Sequence, residues 1–276
     1  LIILKLGGSV ITKKDSINPE VNYINLNRLA SEIKSYLDGL NNSENNISNL
    51  NNHNNLIIVH GAGSFGHPSA KKYGIGLEFD ENQYPEKKIG FSITHNDVSK
   101  LNNIVSKALI NEGVPVIPIP ISSCVITKNK RILSFNLNLL KKYSEEGFVP
   151  VLYGDVTLDT EIKLAVVSGD QIINYIASKL NPGKIILGTD VDGVFNKNPK
   201  QYDDGILIES VSSLDDLDQF DLTTNIDVTG GMIGKIKELL LLAEEGIESK
   251  IVNASIPGLI LDSLNNKNVK GTMIKK

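Results

Sequence analysis

Five ionisable side chains stand inside or beside glycine-rich turns of this chain. Lys5 precedes Gly7, Gly8 and Ser9; Lys14 follows them; His67 ends HGAGSFGH; Asp170 lies in SGDQ; and Lys235 follows Gly230 and Gly231. Bare backbone leaves N–H donors open to an anion, and ammonium groups beside it add charge. Amides and lysines converging on one crevice suit a polyphosphate whose terminal phosphoryl group is moved, because positioning and charge neutralisation catalyse that reaction. No turn has the G-x-x-x-x-G-K-[ST] form. The G-x-G-x-x-G of Gly61, Gly63 and Gly66 would need an acidic residue ending a second strand about 20 positions on to read as a dinucleotide site. Asp80 stands there, in a polar stretch without strand character.

The two arginines, Arg28 and Arg131, lie outside every glycine cluster. The bidentate clamp that grips carboxylates and nucleotide phosphates is therefore missing. A histidine and backbone amides remain for the acceptor, and they suit a small phosphate monoester. Such a monoester has a second pKa near ~6 and is already mostly a dianion at neutral pH, so its attack requires no general base. His67 is then expected to donate a hydrogen bond to the acceptor phosphate. Asp190 and Asp192 in TDVDGV lie in an ordinary Asp-Gly turn, and a divalent cation that accompanies a polyphosphate is held chiefly by phosphate oxygens and water. No dedicated protein-ligated metal site is expected.

To converge, these turns must leave one end of one sheet. Short β-rich runs alternate with segments of helical period, the pattern of a parallel sheet with crossover helices, and ligands bind beyond the carboxyl ends of such strands. Strands are predicted at 1–6, 56–60, 114–119, 148–154, 184–190 and 249–253. Leu26, Leu29, Ile33 and Leu37 mark one amphipathic helix, Val98, Leu101, Val105 and Ala108 a second, and Ile172, Ile173, Ile176 and Leu180 a third. Met232, Ile233, Ile236, Leu239, Leu240 and Ala243 mark a fourth. Residues 121–135 alternate about an Asn-Lys turn and predict a β-hairpin excursion. The asparagine-dominated stretch 41–55 offers nothing to bury and is expected to be a loop, with His53 given no role. Phe91, Ile93, Val98 and Ile121 are candidates for an apolar acceptor wall.

Of the 276 residues, 41% are apolar, enough for a packed core, and the formal net charge is −4 with no long basic run. A nucleic-acid binder would need a concentrated positive face. Cys124 has no partner for an internal disulfide, and no apolar stretch of ~20 residues is present, so a cytoplasmic protein without membrane contact is expected.

In order along the chain, KLGGS, HGAGSFGH, GD, SGD, TDVDGV and DVTGGM with its following lysine resemble the amino acid kinase superfamily. Within it, GSFGHP with a lysine at 14 looks like the isopentenyl phosphate kinases. The resemblance implies an open αβα sandwich with a mainly parallel central sheet, spanning 1–276 as one domain. Residues 1–180 would form mainly the acceptor side and phosphate loops, and 181–276 mainly the nucleotide side. It also implies a homodimer, Mg²⁺-dependent chemistry, and transfer from ATP to isopentenyl phosphate.

By resemblance, Lys5, Leu6, Gly7, Gly8 and Ser9 lie around the ATP phosphates, with Gly63, Asp190, Gly231 and Lys235 also on the nucleotide side. Lys14 corresponds to the transition-state stabiliser. Ala62, His67 and Gly169 correspond to positions that hold the acceptor phosphate, and Asp170 to an aspartate that orients the lysines. Relatives commonly carry glycine where Ala62 stands; a positive φ there would cost on the order of 1 kcal/mol. The competing expectations are a fosfomycin kinase-like, uridylate kinase-like or acetylglutamate kinase-like acceptor, or a non-catalytic nucleotide-binding protein on this fold.

Overall fold

Six apolar runs of the chain form parallel neighbours in an eight-stranded sheet. Its order is Ser210–Val211, Thr272–Ile274, Ser249–Asn253, Lys184–Thr189, Ile2–Leu6, Leu56–His60, Val149–Tyr153 and Val116–Pro118. All six predicted strands are present, within two residues of the expected ends. Thr272–Ile274 pairs antiparallel to Ser249–Asn253 and carries Ser210–Val211 parallel to itself, so only that edge departs from parallel order. This computed structural model describes residues 1–13, 18–43, 55–197, 199, 201–218 and 232–276.

Successive strand residues point to opposite faces, and both faces are buried. Ile3, Ile57, Val59, Leu152, Ile185 and Leu187 pack with helices Gly169–Leu180 and Gly234–Glu244. Leu4, Leu56, Ile58, Val151 and Ile186 pack on the other face with helices Tyr23–Ser43, Tyr84–Asn111 and Leu259–Leu264. A parallel sheet covered on both faces is the expected αβα sandwich. Parity also aims the functional side chains. Lys5 shares the face of Ile3, toward Gly169–Leu180, whereas His60 and Tyr153 face the long helix Tyr84–Asn111.

The expected hairpin is Val125–Lys128 with Arg131–Phe135. Its turn residues Asn129 and Lys130 have φ of 46° and 67°, the paired positive φ of a type I′ turn. A second hairpin, Asp155–Asp159 with Lys163–Val167, joins it in a four-stranded sheet. Helix Tyr23–Ser43 runs into the start of the asparagine-rich stretch, displacing the expected loop boundary; residues 44–54, with His53, lie outside the described residues. No described helix is long and apolar enough to cross a membrane.

Candidate active site

The order of the central sheet reverses around Ile2–Leu6, with the second parallel strand on one side and the fifth on the other. That is the switch point at which an open α/β sheet leaves a crevice beyond its carboxyl ends. Backbone contacts knit the crevice floor. Gly7 N–H donates to the Gly188 carbonyl at 2.9 Å, Gly61 N–H to Leu6 at 3.0 Å and Gly154 N–H to His60 at 3.2 Å. A Cβ on Gly8 would lie 2.5 Å from Gly63 N, one on Gly61 2.7 Å from Gly8 N, and one on Gly7 2.6 Å from Gly188 O. These glycines are required by close approach of main chain to main chain.

Gly63 adopts a φ of +52°, and a methyl there would strike the Thr12 side chain. Thr12 staples the two loops: its hydroxyl donates to Gly8 O at 2.7 Å and accepts Ser64 N–H at 3.2 Å. Ala62 has φ −71° and ψ −24°, ordinary helical values. Its methyl is therefore free of the conformational cost that a positive φ would impose. The left-handed residue is its neighbour.

Lys5 is only 4% exposed, and its ammonium pairs with Asp170. Asp170 occupies the first turn of Gly169–Leu180, whose N-cap Ser168 accepts Gln171 N–H at 3.2 Å. A buried ion pair of this kind fixes both groups, since either alone would be an uncompensated buried charge. A Cβ on Gly169 would sit 3.4 Å from His60 O and 3.6 Å from Lys5 Cε, so bare backbone lies directly over the lysine. On the opposite side, Ser9 Oγ donates to Asp190 at 2.7 Å. Asp192 accepts from Lys270 at 2.6 Å and from Asn253 at 2.8 Å; these bonds, that from Lys270 above all, hold its carboxyl below the usual range.

His67 lies in the second turn of helix Gly63–Lys72, exposed, just before Pro68. Lys235 stands at the start of Gly234–Glu244, a helix held against Gly169–Leu180 by Asn174 Nδ2 donating to Glu238 O at 2.8 Å. Lys14 and Gly231 lie outside the described residues. The structure thus brings Lys5, Leu6, Gly7, Gly8, Ser9, Gly63, Gly169, Asp170 and Asp190 to one floor, with Ala62 beside Gly63 and His67 one helical turn further along. Bare amides and a buried lysine fit a polyphosphate, and Ser64 Oγ, buried with no partner among the described residues, is a further hydroxyl beside the same loop. The described residues contain no cluster of three or more metal-ligating side chains.

Of the predicted wall, Phe91 packs with Ile75, Val156, Leu164, Tyr73 and Tyr84. Val98 and Ile121 are instead plain core, at 1% and 0% exposure. Val98 lies where a Cβ on Gly66 would meet it at 2.7 Å, so it sets the approach of two helices. Sequence reasoning missed His60 and Tyr153, whose rings stack with centroids 5.3 Å apart. Burial lowers the His60 pKa, against the pull of its ring nitrogens' bonds to Gly61 O at 3.0 Å and to Asn102 Oδ1 at 3.2 Å. The missed signal was His60 itself, ending a strand immediately before the glycines.

The amino acid kinase family model matches residues 1–253. Isopentenyl phosphate kinase of Methanothermobacter thermautotrophicus is 49% identical over 99% of this chain and 98% of its own. An X-ray structure of isopentenyl phosphate kinase superposes with a TM-score of 0.85 at 45% identity, covering 99% of both chains. The Thermoplasma acidophilum isopentenyl phosphate kinase, solved as a product complex, gives a TM-score of 0.77 at 28% identity over 100% of both. The chain belongs to the amino acid kinase family, on its isopentenyl phosphate kinase branch.

Proposed function

We propose that this protein transfers the γ-phosphoryl group of ATP to isopentenyl phosphate, giving isopentenyl diphosphate and ADP. The observation that carries this is a bare-backbone floor built over the Lys5–Asp170 ion pair, with His67 one helical turn beyond Gly63 and no arginine in any of the glycine loops. Around the ATP phosphates stand Lys5, Gly7, Gly8, Ser9 and Gly63, with Asp190, Gly231 and Lys235 completing the nucleotide side. Mg²⁺ carried by ATP neutralises phosphate charge and is held mainly by phosphate oxygens and water. Asp170 holds Lys5 in place beneath the reacting groups. Lys14 meets the charge that grows on the transferring phosphoryl group.

Ala62 and Gly169 offer amides to the acceptor phosphate, and His67 donates a hydrogen bond to it. The dianion attacks directly, so no residue need remove a proton. Its apolar tail lies toward the Phe91 cluster. One domain carries both substrates, the acceptor mainly on 1–180 and the nucleotide mainly on 181–276, and the active protein is a cytoplasmic homodimer.

His67 tests this assignment. His67→Ala is expected to raise the KM for isopentenyl phosphate and lower turnover, while His67→Gln, which keeps an N–H donor, recovers part of the loss. Steady-state kinetics with ATP and acceptor varied separately decide it. Absence of ADP formation by the wild-type protein with isopentenyl phosphate would overturn the reaction; a glutamine variant no better than alanine would overturn the donor role.

A further inference from the structure

The long helix Tyr84–Asn111 carries His95, Ser99 and Asn102 at spacings of four and three, one stripe on its surface. Each member meets a polar group at the end of a central strand or just beyond it. Asn102 meets His60 at 3.2 Å, and Ser99 Oγ lies 3.4 Å from Tyr153 OH. His95 Nδ1–H donates to Asp155, at 2.9 Å from Oδ2 and 3.2 Å from Oδ1. Ser122, from the short turn Ile121–Ser123, lies 3.3 Å from the same nitrogen and also bonds the carboxylate.

Asp155 is the exceptional member. Its side chain is wholly buried while that of His95 is 37% exposed. Burial pushes the Asp155 carboxyl up; the Val156 N–H, His95 and Ser122 draw it back toward the charged form. Cys124 faces the same charge, and burial together with Asp155 pushes its thiol up to about 11. A buried carboxylate must be satisfied by its immediate partners, and His95 is the partner contributed by the long helix.

One residue before Asp155 stands Gly154. A Cβ there would lie 3.4 Å from Gly169 N and 3.8 Å from Ala62 N. Both amides belong to the acceptor phosphate in the assignment above. Gly154 N–H donates to His60 O at 3.2 Å, two residues before Ala62, so movement of the chain at 153–155 would reach the Ala62 loop through a backbone hydrogen bond and Gly169 across a narrow gap between main chains.

We infer that His95 is a positioning residue for the acceptor phosphate: by bonding Asp155 it locks the Tyr153–Asp155 segment to the long helix and so holds the Ala62 and Gly169 amides in register. The kinetic consequence rests on the proposed acceptor; the structural one does not. His95→Ala removes the donor at a site water can reach, and His95→Asn returns an amide N–H where Nδ1 lies.

Hydrogen exchange read by mass spectrometry, on peptides spanning 59–66, 153–157 and 168–171, is expected to quicken by roughly tenfold in His95→Ala and to return near wild type in His95→Asn. Strand Lys184–Thr189 should exchange unchanged. In the same variants the KM for isopentenyl phosphate should rise about tenfold in alanine and within about threefold in asparagine, with the ATP KM held within about twofold. Unchanged exchange at the three peptides, an asparagine variant indistinguishable from alanine, or an equal rise in both KM values would overturn the inference. If wild-type protein does not use isopentenyl phosphate, the functional proposal fails and the exchange comparison alone decides this one. Should His95→Ala not fold, His95→Leu, which fills the space without a donor, takes its place under the same criteria.

Discussion

Gly8→Ala is the smallest change that tests whether interlocked main chain builds the site. The added methyl carbon would stand 2.5 Å from Gly63 N and 2.7 Å from Gly63 Cα. Ordinary contact begins near ~3.4 Å, so the two loops must part by roughly 1 Å, and the obstacle is backbone that cannot rotate aside. Overpacking of this kind costs about 1–3 kcal/mol of stability. A misplacement of about 1 Å at a phosphoryl-transfer site costs on the order of 10² in rate. The matched control is Gly39→Ala, inside helix Tyr23–Ser43, where a Cβ meets nothing within 4 Å. Helix propensity there predicts a gain of up to about 1 kcal/mol and unchanged catalysis. ADP release and thermal melts on the same preparations give both readouts. If Gly8→Ala keeps kcat/KM within about threefold of wild type, close backbone approach is not what organises the floor.

Two further predictions concern charge. Lys14→Ala should lower kcat by at least ~10²-fold and disturb the ATP KM less, because the charge it is proposed to meet grows in the transition state; an ATP KM effect larger than the kcat effect would contradict that role. Asp159 accepts N–H bonds from Asn129, Lys130, Glu161 and Ile162 at the tips of the two hairpins. Burial opposes its ionisation, but these bonds outweigh it and bring the carboxyl from 3.8 to about 2. A carboxyl depressed on folding adds stability that is full above its unfolded pKa and fades as pH falls through the folded one; here it is about 2 kcal/mol near pH 7 and about half that at pH 3. Urea unfolding of Asp159→Asn should therefore show its deficit shrinking as pH falls from 7 to 3, and a constant deficit would refute the linkage.

The six central strands were legible because most of each is a buried apolar run, and the first hairpin because Asn129–Lys130 forms a turn between alternating apolar residues. Asp155–Asp159 was not, since Asp155, Thr157 and Asp159 are buried polar residues that break the apolar pattern. Ser210–Val211 and Thr272–Ile274, at two and three residues, are too short to carry a period. At the site, residue types and glycine spacing singled out the loops that meet at one crevice floor. They could not reveal that Gly63 rather than Ala62 takes the positive φ, nor that His95 meets Asp155 sixty residues away. Both follow from tertiary contact.

An acceptor site with His67 and amides but without an arginine clamp is proposed to select a small phosphate monoester. Its direct test is kcat/KM for isopentenyl phosphate, UMP and N-acetylglutamate under one set of ATP and Mg²⁺ concentrations. Isopentenyl phosphate is expected ahead of both by at least ~10²-fold, since losing a paired, charge-assisted contact costs several kcal/mol. Comparable values for the three acceptors, or preference for UMP or N-acetylglutamate, would contradict it.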